Sequence, residues 1–220
     1  MSGYVALFDM DQTLVDVNTA ALIVRWRRRH GRNSAADVLR VAYWLAKYKL
    51  GLLDAPRIAQ RVMKQFRNDR EETLRSDCAD WYRAEGRQHI LTQARRAVEW
   101  HRTNGATLAI ITSATRYAAA PLAEELGIAH VLCTNLEVDS LGRFTGRIVE
   151  PLCYGPGKVT LAQRWAQSLG LELSGAYFYT DSVTDMPLLE LVAHPVAVNP
   201  DLRLRRLAQA KGWSIEQWRR

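Results

Sequence analysis

The sequence lacks the features that mark secreted, membrane-spanning and fibrous proteins. Its three cysteines, Cys78, Cys133 and Cys153, are odd in number and widely spaced with no CxxC pair, which argues against a disulfide framework or a cysteine-based metal site. No apolar run approaches the roughly eighteen residues of a transmembrane helix, and the N-terminus shows no signal-peptide pattern. Internal repeats and low-complexity segments are absent. We expect a cytoplasmic protein whose thiols are reduced and buried.

The composition indicates a globular protein with an uneven distribution of charge. The 220 residues are 48% hydrophobic and 24% charged, enough for one sizeable core or for a core with a smaller inserted domain. The net charge of +7 comes from one segment, because residues 18–88 hold 16 Lys and Arg against 8 Asp and Glu, whereas the rest holds 14 against 15. Such a segment suits a polyanionic substrate, a nucleic acid or an anionic membrane.

Two acids follow the first predicted strand. Val5 to Phe8 is a short apolar run with the composition of a buried strand, and Asp9 and Asp11 come directly after it. Side chains two residues apart on a strand point to the same side, so these carboxylates are expected to share a small volume. Their repulsion calls for a cation, a shared proton or both. This stretch therefore predicts a site.

The rest of the chain divides into a helical segment and an alternating one. Helical spacing of apolar residues predicts four helices, which begin near Thr19, Ser34, Asp54 and Asp69. Beyond them, predicted strands (107–111, 131–133, 136–138, 144–149, 176–179 and 195–198) alternate with predicted helices (92–103, 121–126, 157–169, 188–192 and 201–210). This alternation predicts an α/β fold with a parallel sheet covered by helices on both faces.

The first strand is separated from its partners by the helical segment, so two domains are predicted. We place a core domain at 1–16 and 89–220 and an all-α insert at 17–88. The insert is expected above the carboxyl ends of the strands, which is the edge where open α/β sheets bind ligands.

Four groups of polar residues fall just past a predicted strand or at the start of a helix. They are Asp9-Met10-Asp11-Gln12-Thr13, Thr112-Ser113, Lys158 within Gly155-Pro156-Gly157-Lys158, and Asp181 with Asp185. Taken singly, each has an ordinary structural interpretation as a turn, a helix cap or a solvated side chain. Taken together, in this order and on one edge of one sheet, they indicate a single site.

These four groups resemble the four signature motifs of the haloacid dehalogenase (HAD)-like hydrolases. The resemblance covers nearly the whole chain, and the helical insert straight after the first motif is similar to the subfamily I cap, in particular that of the IB group, which includes phosphoserine phosphatase. It implies a HAD-like, Rossmann-type sheet with an inserted helical cap. It also implies a Mg²⁺-dependent phosphatase that hydrolyses a small-molecule phosphomonoester through an aspartyl-phosphate intermediate.

The resemblance assigns roles to the acids. Asp9 would be the nucleophile, and Asp11 would be the general acid that protonates the leaving oxygen and then the base that activates water. Mg²⁺ would be held by the carboxylates of Asp9 and Asp181 and by the backbone carbonyl of Asp11. Asp185 would be a further ligand or a support for the ligands.

The resemblance also assigns the phosphate-binding groups and the reaction type. Ser113 and Lys158 would bind phosphoryl oxygens, and Lys158 would also hold the nucleophile. Phosphatases and phosphomutases of the family keep an acid at the position of Asp11, whereas dehalogenases lack it and transport ATPases carry Thr there. Hydrolysis or phosphoryl transfer is therefore favoured over dehalogenation.

The sequence departs from phosphoserine phosphatases at positions that matter for the substrate. Asn18 stands where those enzymes carry a Glu that contacts the substrate amine, and a neutral amide cannot pair with an ammonium ion as Glu does. Ala114-Thr115 replaces Gly-Gly, and Thr180-Asp181-Ser182 replaces Gly-Asp-Gly. We therefore expect another phosphomonoester as the substrate, with phosphoserine as the alternative.

The basic insert leaves further interpretations open. Arg25, Arg28 and Arg29 are candidates for substrate contact because they lie within a few turns of the linker, and the same stretch fits a basic nucleic-acid-binding protein. No known nucleic-acid-recognition motif accompanies this basic stretch, so no specific nucleic-acid partner is expected. The apolar, basic stretch 42–50 fits a phosphatase acting on a lipid-like or polyanionic phosphate at a membrane surface. The expected partner is a small-molecule phosphate ester, and the oligomeric state is left open.

The aromatic residues of the insert allow two interpretations. They are Trp26, Tyr43, Trp44, Tyr48, Trp81 and Tyr82. Aromatic side chains at helical spacing line an apolar pocket in some proteins, but they more often form the core. We expect core positions here.

Overall fold

The computed structural model describes residues 3–36, 38–40, 42–43 and 55–220, and its fold is built on one sheet. The strands of this part of the chain are Val5–Phe8 (β1), Thr107–Thr115 (β2), His130–Val138 (β3), Phe144–Val149 (β4), Tyr177–Thr180 (β5), His194–Val198 (β6) and Ser214–Glu216 (β7). Their order is β4-β3-β2-β1-β5-β6-β7. Every neighbouring pair is parallel except β3 with β4, which forms an antiparallel hairpin. The predicted α/β fold is confirmed.

Helices cover the sheet and form the segment between β1 and β2. They are Thr19–Arg29 (α1), Ala55–Lys64 (α2), Glu71–Trp81 (α3), Thr92–Thr103 (α4), Arg116–Leu126 (α5), Pro156–Ser168 (α6), Met186–Leu189 (α7) and Leu202–Lys211 (α8). A π turn, Tyr82–Gly86, and a 3₁₀ turn, Arg87–His89, follow α3. Residues 35–36, 38–40 and 42–43 are helical at the place of the second predicted helix, whose remainder lies outside the described residues.

The central strand β1 is buried on both faces. Its four residues have no exposed surface. Ala6 and Phe8 belong to one hydrophobic cluster together with α4 and α5, while Val5 and Leu7 belong to the other together with α6 and α8. An apolar run without polar alternation is what a strand covered on both faces requires. The acids that follow β1 therefore emerge from the middle of the sheet.

Two predicted boundaries near β2 are wrong. The strand continues to Thr115 instead of ending at Ile111, and α5 begins at Arg116 instead of Pro121. A proline inside a helix removes one backbone hydrogen bond, which normally favours a helix start at that residue. Tyr117 and Ala119 are nevertheless buried in the core, and this burial offsets the lost bond.

The sheet also differs from prediction at its two ends. The strands predicted at 131–133 and 136–138 are one strand, β3, which pairs first with β2 and then with β4. The edge strand β7 was not predicted, because Ser214–Glu216 is short and carries no apolar pattern. It is held instead by pairing with β6.

The two connections between the insert and the core run side by side. Val15 forms an antiparallel bridge with Ile90, and the Asp16 N–H donates to the His89 carbonyl at 3.1 Å. The Asp16 carboxylate also contacts His89 Nδ1 at 2.8 Å and pairs with the guanidinium of Arg220. The chain therefore leaves β1 and returns towards α4 at one place, and the domain limits at 17 and 88 stay a prediction.

The described part of the insert packs on the β3–β4 hairpin and on α5. The Asn68 N–H donates to the Phe144 carbonyl at 2.9 Å, and the Phe144 N–H donates to the Asp69 carbonyl at 3.0 Å. The Tyr117 hydroxyl of α5 donates to Glu71 Oε1 of α3 at 3.1 Å. These contacts fix the insert against two elements that flank the carboxyl ends of β2 and β3.

The interior of the insert contains aromatic side chains and a buried ion pair. Trp26, Trp81 and Tyr82 are buried, as expected for core residues, whereas Tyr43 is 55% exposed and Trp44 and Tyr48 lie outside the described residues. Asp77 of α3 is fully buried and pairs with Arg27 of α1 at 3.1 Å and with Arg32. This carboxylate therefore joins α1 and the turn after it to α3.

Two predictions from composition can be compared with the structure. All three cysteines are buried free thiols, as expected. Within the described ranges, no helix combines the length and the apolar character needed to cross a bilayer.

Candidate active site

The carboxyl ends of three adjacent strands bring the predicted site residues together. Asp9 follows β1, Ser113 lies near the end of β2 on one side, and Asp181 follows β5 on the other. The Asp9 N–H donates to the Tyr179 carbonyl at 2.8 Å, which continues the β1–β5 pairing up to the first acid. The chain moves outward from β1 in one direction to β2 and β3 and later in the other to β5. This reversal forms the crevice in which α/β proteins bind ligands.

Lys158 joins the first and last motifs. Its Nζ lies 2.9 Å from Asp9 Oδ1 and 2.7 Å from Asp185 Oδ2, and the lysine is only 3% exposed. Burial alone would lower the pKa of Lys158, but the charges of Asp185 and Asp9 outweigh it and raise this pKa above its ordinary value. The ammonium therefore stays charged, and a solvated surface lysine is excluded.

The loop before α6 is shaped by glycine so that Lys158 can reach the acids. A Cβ on Gly157 would lie 1.9 Å from the Leu152 carbonyl oxygen, a distance that no side chain tolerates. Gly155 has a positive φ of 50°. Pro156 then begins the helix, where its missing N–H costs nothing. The Gly-Pro-Gly sequence thus places the first turn of α6 against the preceding loop.

Asp11 is held by the insert. Its Oδ1 accepts the N–H of Thr19, the first residue of α1, at 3.2 Å. Burial raises the pKa of Asp11 to about 7, with hydrogen bonding from Thr19 acting against this shift and the charge of Asp9 adding to it. A carboxyl group with this pKa exchanges its proton near neutral pH, which suits an acid that later acts as a base.

The other acids carry more negative charge than the lysine neutralises. Burial raises the pKa of Asp9 to about 6, although Lys158 opposes the shift. Burial, and then the charges of Asp9 and Asp185, raise the pKa of Asp181 well above its ordinary value. Carboxylates crowded in this way are stabilised by a cation.

The donor atoms fit a hard divalent cation such as Mg²⁺. The implied ligands are carboxylate oxygens of Asp9 and Asp181 and the carbonyl oxygen of Asp11, all of the type that Mg²⁺ prefers. In the described ranges, no three acidic, His or Cys side chains converge closely enough to form a metal site by themselves. The implied set uses two side chains and one carbonyl, so it does not require such a cluster.

Ser113 is placed at the site by its backbone. It lies inside β2, its side chain is exposed, and its carbonyl accepts a hydrogen bond from Thr134 Oγ1 at 2.8 Å. The register of β2 with β3 shifts between Thr112 and Thr115, so the strand is irregular at this point. Ser113 is therefore a strand residue rather than the helix cap that its sequence also allowed.

The predicted specificity residues all lie on α1 or at its start. Asn18 Oδ1 accepts the Ala21 N–H at 3.0 Å, so the side chain caps α1. Arg25 and Arg28 are exposed, and Arg29 forms an ion pair with Glu85 of the π turn. Nothing in these contacts brings the three arginines to Asp9, and their role in specificity stays a prediction.

Sequence reasoning missed two residues of the site. Thr180 is fully buried, and its Oγ1 donates to Asp185 Oδ2 at 2.7 Å. Thr19 supplies the N–H that holds Asp11. The available signal for Thr180 was a hydroxyl at the end of an apolar strand, directly before a motif acid. For Thr19, the backbone contact leaves no signal in the sequence.

Comparison with known proteins agrees with this geometry. The family model described as haloacid dehalogenase-like hydrolase matches residues 6–190. A histidinol-phosphatase from Neisseria meningitidis serogroup C is 29% identical over 214 residues, which cover 96% of this chain and 96% of that protein. A phosphoserine phosphatase from Mycobacterium tuberculosis is 34% identical over 222 residues, which cover 97% of this chain and 70% of that protein.

A solved structure extends the similarity to the whole fold. A protein of unknown function from Bordetella pertussis Tohama I superposes with a TM-score of 0.87 at 32% identity and covers 98% of both chains. The family match spans all four motifs, from Asp9 to Asp185. The resemblance predicted from the motifs is therefore confirmed, and the chain belongs to the haloacid dehalogenase-like hydrolases, with similarity to the phosphoserine phosphatases among them.

Proposed function

We propose that the protein is a Mg²⁺-dependent phosphatase that hydrolyses a small-molecule phosphomonoester through an aspartyl-phosphate on Asp9. The observation that carries this proposal is the buried ammonium of Lys158, which lies between Asp9 and Asp185 at the carboxyl end of β1. An anionic phosphoryl group repels an attacking carboxylate, so attack requires fixed positive charge beside the nucleophile. Lys158 supplies such a charge.

The proposed reaction has two halves. Asp9 attacks phosphorus, the bond from phosphorus to the ester oxygen breaks, and Asp11 gives its proton to the leaving alcohol. Asp11 then takes a proton from water, whose oxygen attacks phosphorus and releases inorganic phosphate and the Asp9 carboxylate. Bound Mg²⁺, held by Asp9, Asp181 and the Asp11 carbonyl, would neutralise charge on the phosphoryl oxygens.

The phosphate-binding groups complete the proposed site. Lys158 uses two of its three N–H groups on Asp9 and Asp185, which leaves one for a phosphoryl oxygen. Ser113, on the neighbouring strand, would donate to another. Asp185 binds the same ammonium through Oδ2 at 2.7 Å.

We also propose that residues 17–88 act as a cap that closes over this site. Support comes from the Thr19 N–H, because it ties the first helix of the insert directly to the Asp11 carboxylate. A closed cap would exclude water before the attack of Asp9, and an open cap would admit it afterwards. The cysteine content, with three buried free thiols, supports a cytoplasmic location within this proposal.

The substrates to test first are histidinol phosphate and phosphoserine, since relatives bear the names of enzymes for both. Asn18 favours a phosphomonoester whose recognition needs no carboxylate at this position, because a neutral side chain engaged in capping α1 offers none to a substrate amine. Histidinol phosphate and phosphoserine both carry an amine, so Asn18 does not place one above the other. If residue 18 determines whether phosphoserine is a substrate, the variant Asn18→Glu will gain phosphoserine hydrolysis. If Asn18→Glu gains no phosphoserine hydrolysis, other residues of the insert determine the substrate specificity.

The decisive experiment is a phosphate-release screen over a panel of metabolite phosphomonoesters with and without Mg²⁺. We expect wild type to release phosphate only with the cation, Asp9→Asn to be inactive, and Asp80→Asn, which removes an exposed acid of the insert, to match wild type. Failure of wild type on every ester, or equal activity of Asp9→Asn, would contradict the proposal. An electrophoretic shift of a nucleic acid by the protein that persists at moderate salt would instead favour a nucleic-acid partner. Co-sedimentation of the protein with lipid vesicles would favour a phosphatase that acts at a membrane surface.

A further inference from the structure

We propose that Thr180 is a positioning residue that fixes the orientation of the Asp185 carboxylate and, through it, the affinity of the site for Mg²⁺. This inference rests on the proposed function, because it concerns the same metal site. Thr180 is the last residue of β5 and stands directly before the implied ligand Asp181. The family resemblance assigns it no role, since phosphoserine phosphatases have a glycine at this position.

The Thr180 hydroxyl makes two directed hydrogen bonds. It donates to Asp185 Oδ2 at 2.7 Å and accepts the N–H of Ser182 at 3.3 Å. Both the hydroxyl donor and its carboxylate partner belong to residues at most 2% exposed. Water therefore does not substitute for this hydroxyl, and its geometry is set by the strand end.

The bond to Thr180 determines which oxygen of Asp185 is occupied. Lys158 Nζ also binds Oδ2, at 2.7 Å, so this oxygen has two donors. Within the described residues, no hydrogen bond to Oδ1 of Asp185 is found. The carboxylate is thus held with one oxygen turned to the lysine and hydroxyl, and the other left for a cation or a water bound to it.

Loss of the hydroxyl would leave Asp185 with the lysine as its hydrogen-bond donor. The flexible ammonium of a lysine can donate to a carboxylate in many orientations. The hydroxyl of a buried threonine on a strand can donate to it in only a few, because its side chain is restricted at χ1. The carboxylate would then rotate about its terminal bond, and Lys158 would follow it. Partners that orient metal ligands typically change metal affinity 10–100-fold when removed.

The test measures Mg²⁺ affinity directly by isothermal titration calorimetry, below the melting temperature of every variant. Thr180→Val keeps the shape and removes the hydroxyl, Thr180→Ser keeps the hydroxyl, and Thr180→Ala replaces Thr180→Val if the latter does not fold. The matched control is Thr134→Val, which also removes a buried threonine hydroxyl, bonded to the Ser113 carbonyl at 2.8 Å. Phosphate release by wild type is measured in parallel.

We expect Thr180→Val to weaken Mg²⁺ binding about tenfold, with Thr180→Ser close to wild type and Thr134→Val unchanged. The inference is overturned if Thr180→Val binds Mg²⁺ as wild type does, if Thr180→Ser is no better than Thr180→Val, if Thr134→Val weakens binding equally, or if wild type binds no Mg²⁺. Wild type that binds Mg²⁺ with the expected differences but releases no phosphate would refute the proposed function and leave the role of Thr180 standing.

Discussion

His101 links two tyrosines in the core, and its protonation should limit stability in acid. The residue lies on α4 and is fully buried, with Nδ1 2.9 Å from the Tyr4 hydroxyl and Nε2 2.9 Å from the Tyr179 hydroxyl. Burial, and then the neighbouring imidazole of His194, lower the pKa of His101 from 6.5 to about 4. Between these two values the unfolded chain binds a proton that the folded chain does not, so stability falls as the pH falls.

The size of this loss follows from the two pKa values. With 6.5 in the unfolded state and about 4 in the folded state, the imidazole costs about 1.4 kcal/mol at pH 5.5 and about 2.5 kcal/mol at pH 4.5, relative to pH 7.5. Asp9 and Asp11 act in the opposite direction, because their raised pKa values make the folded chain bind more protons below neutral pH. Wild type and a His101 variant both contain Asp9 and Asp11. The difference between their free energies of unfolding therefore cancels the contribution of these acids to the pH dependence.

The assay is urea unfolding of wild type and His101→Gln at pH 7.5, 5.5 and 4.5. At pH 7.5 the variant is less stable because it loses hydrogen bonds, and this difference should shrink by about 2.5 kcal/mol on going to pH 4.5. Tyr4→Phe is the control, since it removes one of the hydrogen bonds but keeps the imidazole, and its difference from wild type should not depend on pH. A difference between wild type and His101→Gln that stays constant across this range would refute the reasoning.

Two further variants test packing described above, each by urea unfolding. Gly157→Ala should lower the free energy of unfolding by about 2 kcal/mol or more, because the added methyl group meets the Leu152 carbonyl. The control Gly175→Ala should be neutral, because a methyl group there meets nothing within 4 Å. Equal effects of the two substitutions would show that the loop before α6 relaxes freely. Asp77→Ala should cost about 3–5 kcal/mol because it removes the buried carboxylate that pairs with Arg27 and Arg32. Asp80→Ala, which breaks an exposed pair with Arg83, should cost under about 1 kcal/mol; similar losses would place the Asp77 pair in solvent.

The convergence of the candidate site residues could be predicted because their chemistry is visible in the residue types and their order. Acids placed directly after apolar strands must meet at one edge of a parallel sheet, and a lysine at a helix start can reach them. The structure joins Asp9, Lys158 and Asp185 in this way. The alternation of strands and helices after residue 90 also predicts the sheet, because most of these segments are long enough for their hydrophobic periodicity to be recognised.

Features that depend on tertiary contacts could not be predicted in the same way. A threonine before an acid is common, so the hydrogen bond from Thr180 to Asp185 has no distinctive signature. The proline in α5 indicates a helix start by local rules, yet core burial extends the helix five residues further back. For Asn18 the sequence predicts a role in substrate specificity, whereas the structure shows its side chain capping α1, as ordinary helix chemistry favours.

The paired linkers bear on how such a protein can change over time. Val15 and Ile90 lie opposite each other in a short antiparallel bridge, so the chain leaves β1 and returns to the core across a single strand spacing. Any segment whose two ends lie about 5 Å apart fits this junction without moving Asp9. We therefore expect that a different segment could join at this place while the strand that ends beside Asp9 keeps its register.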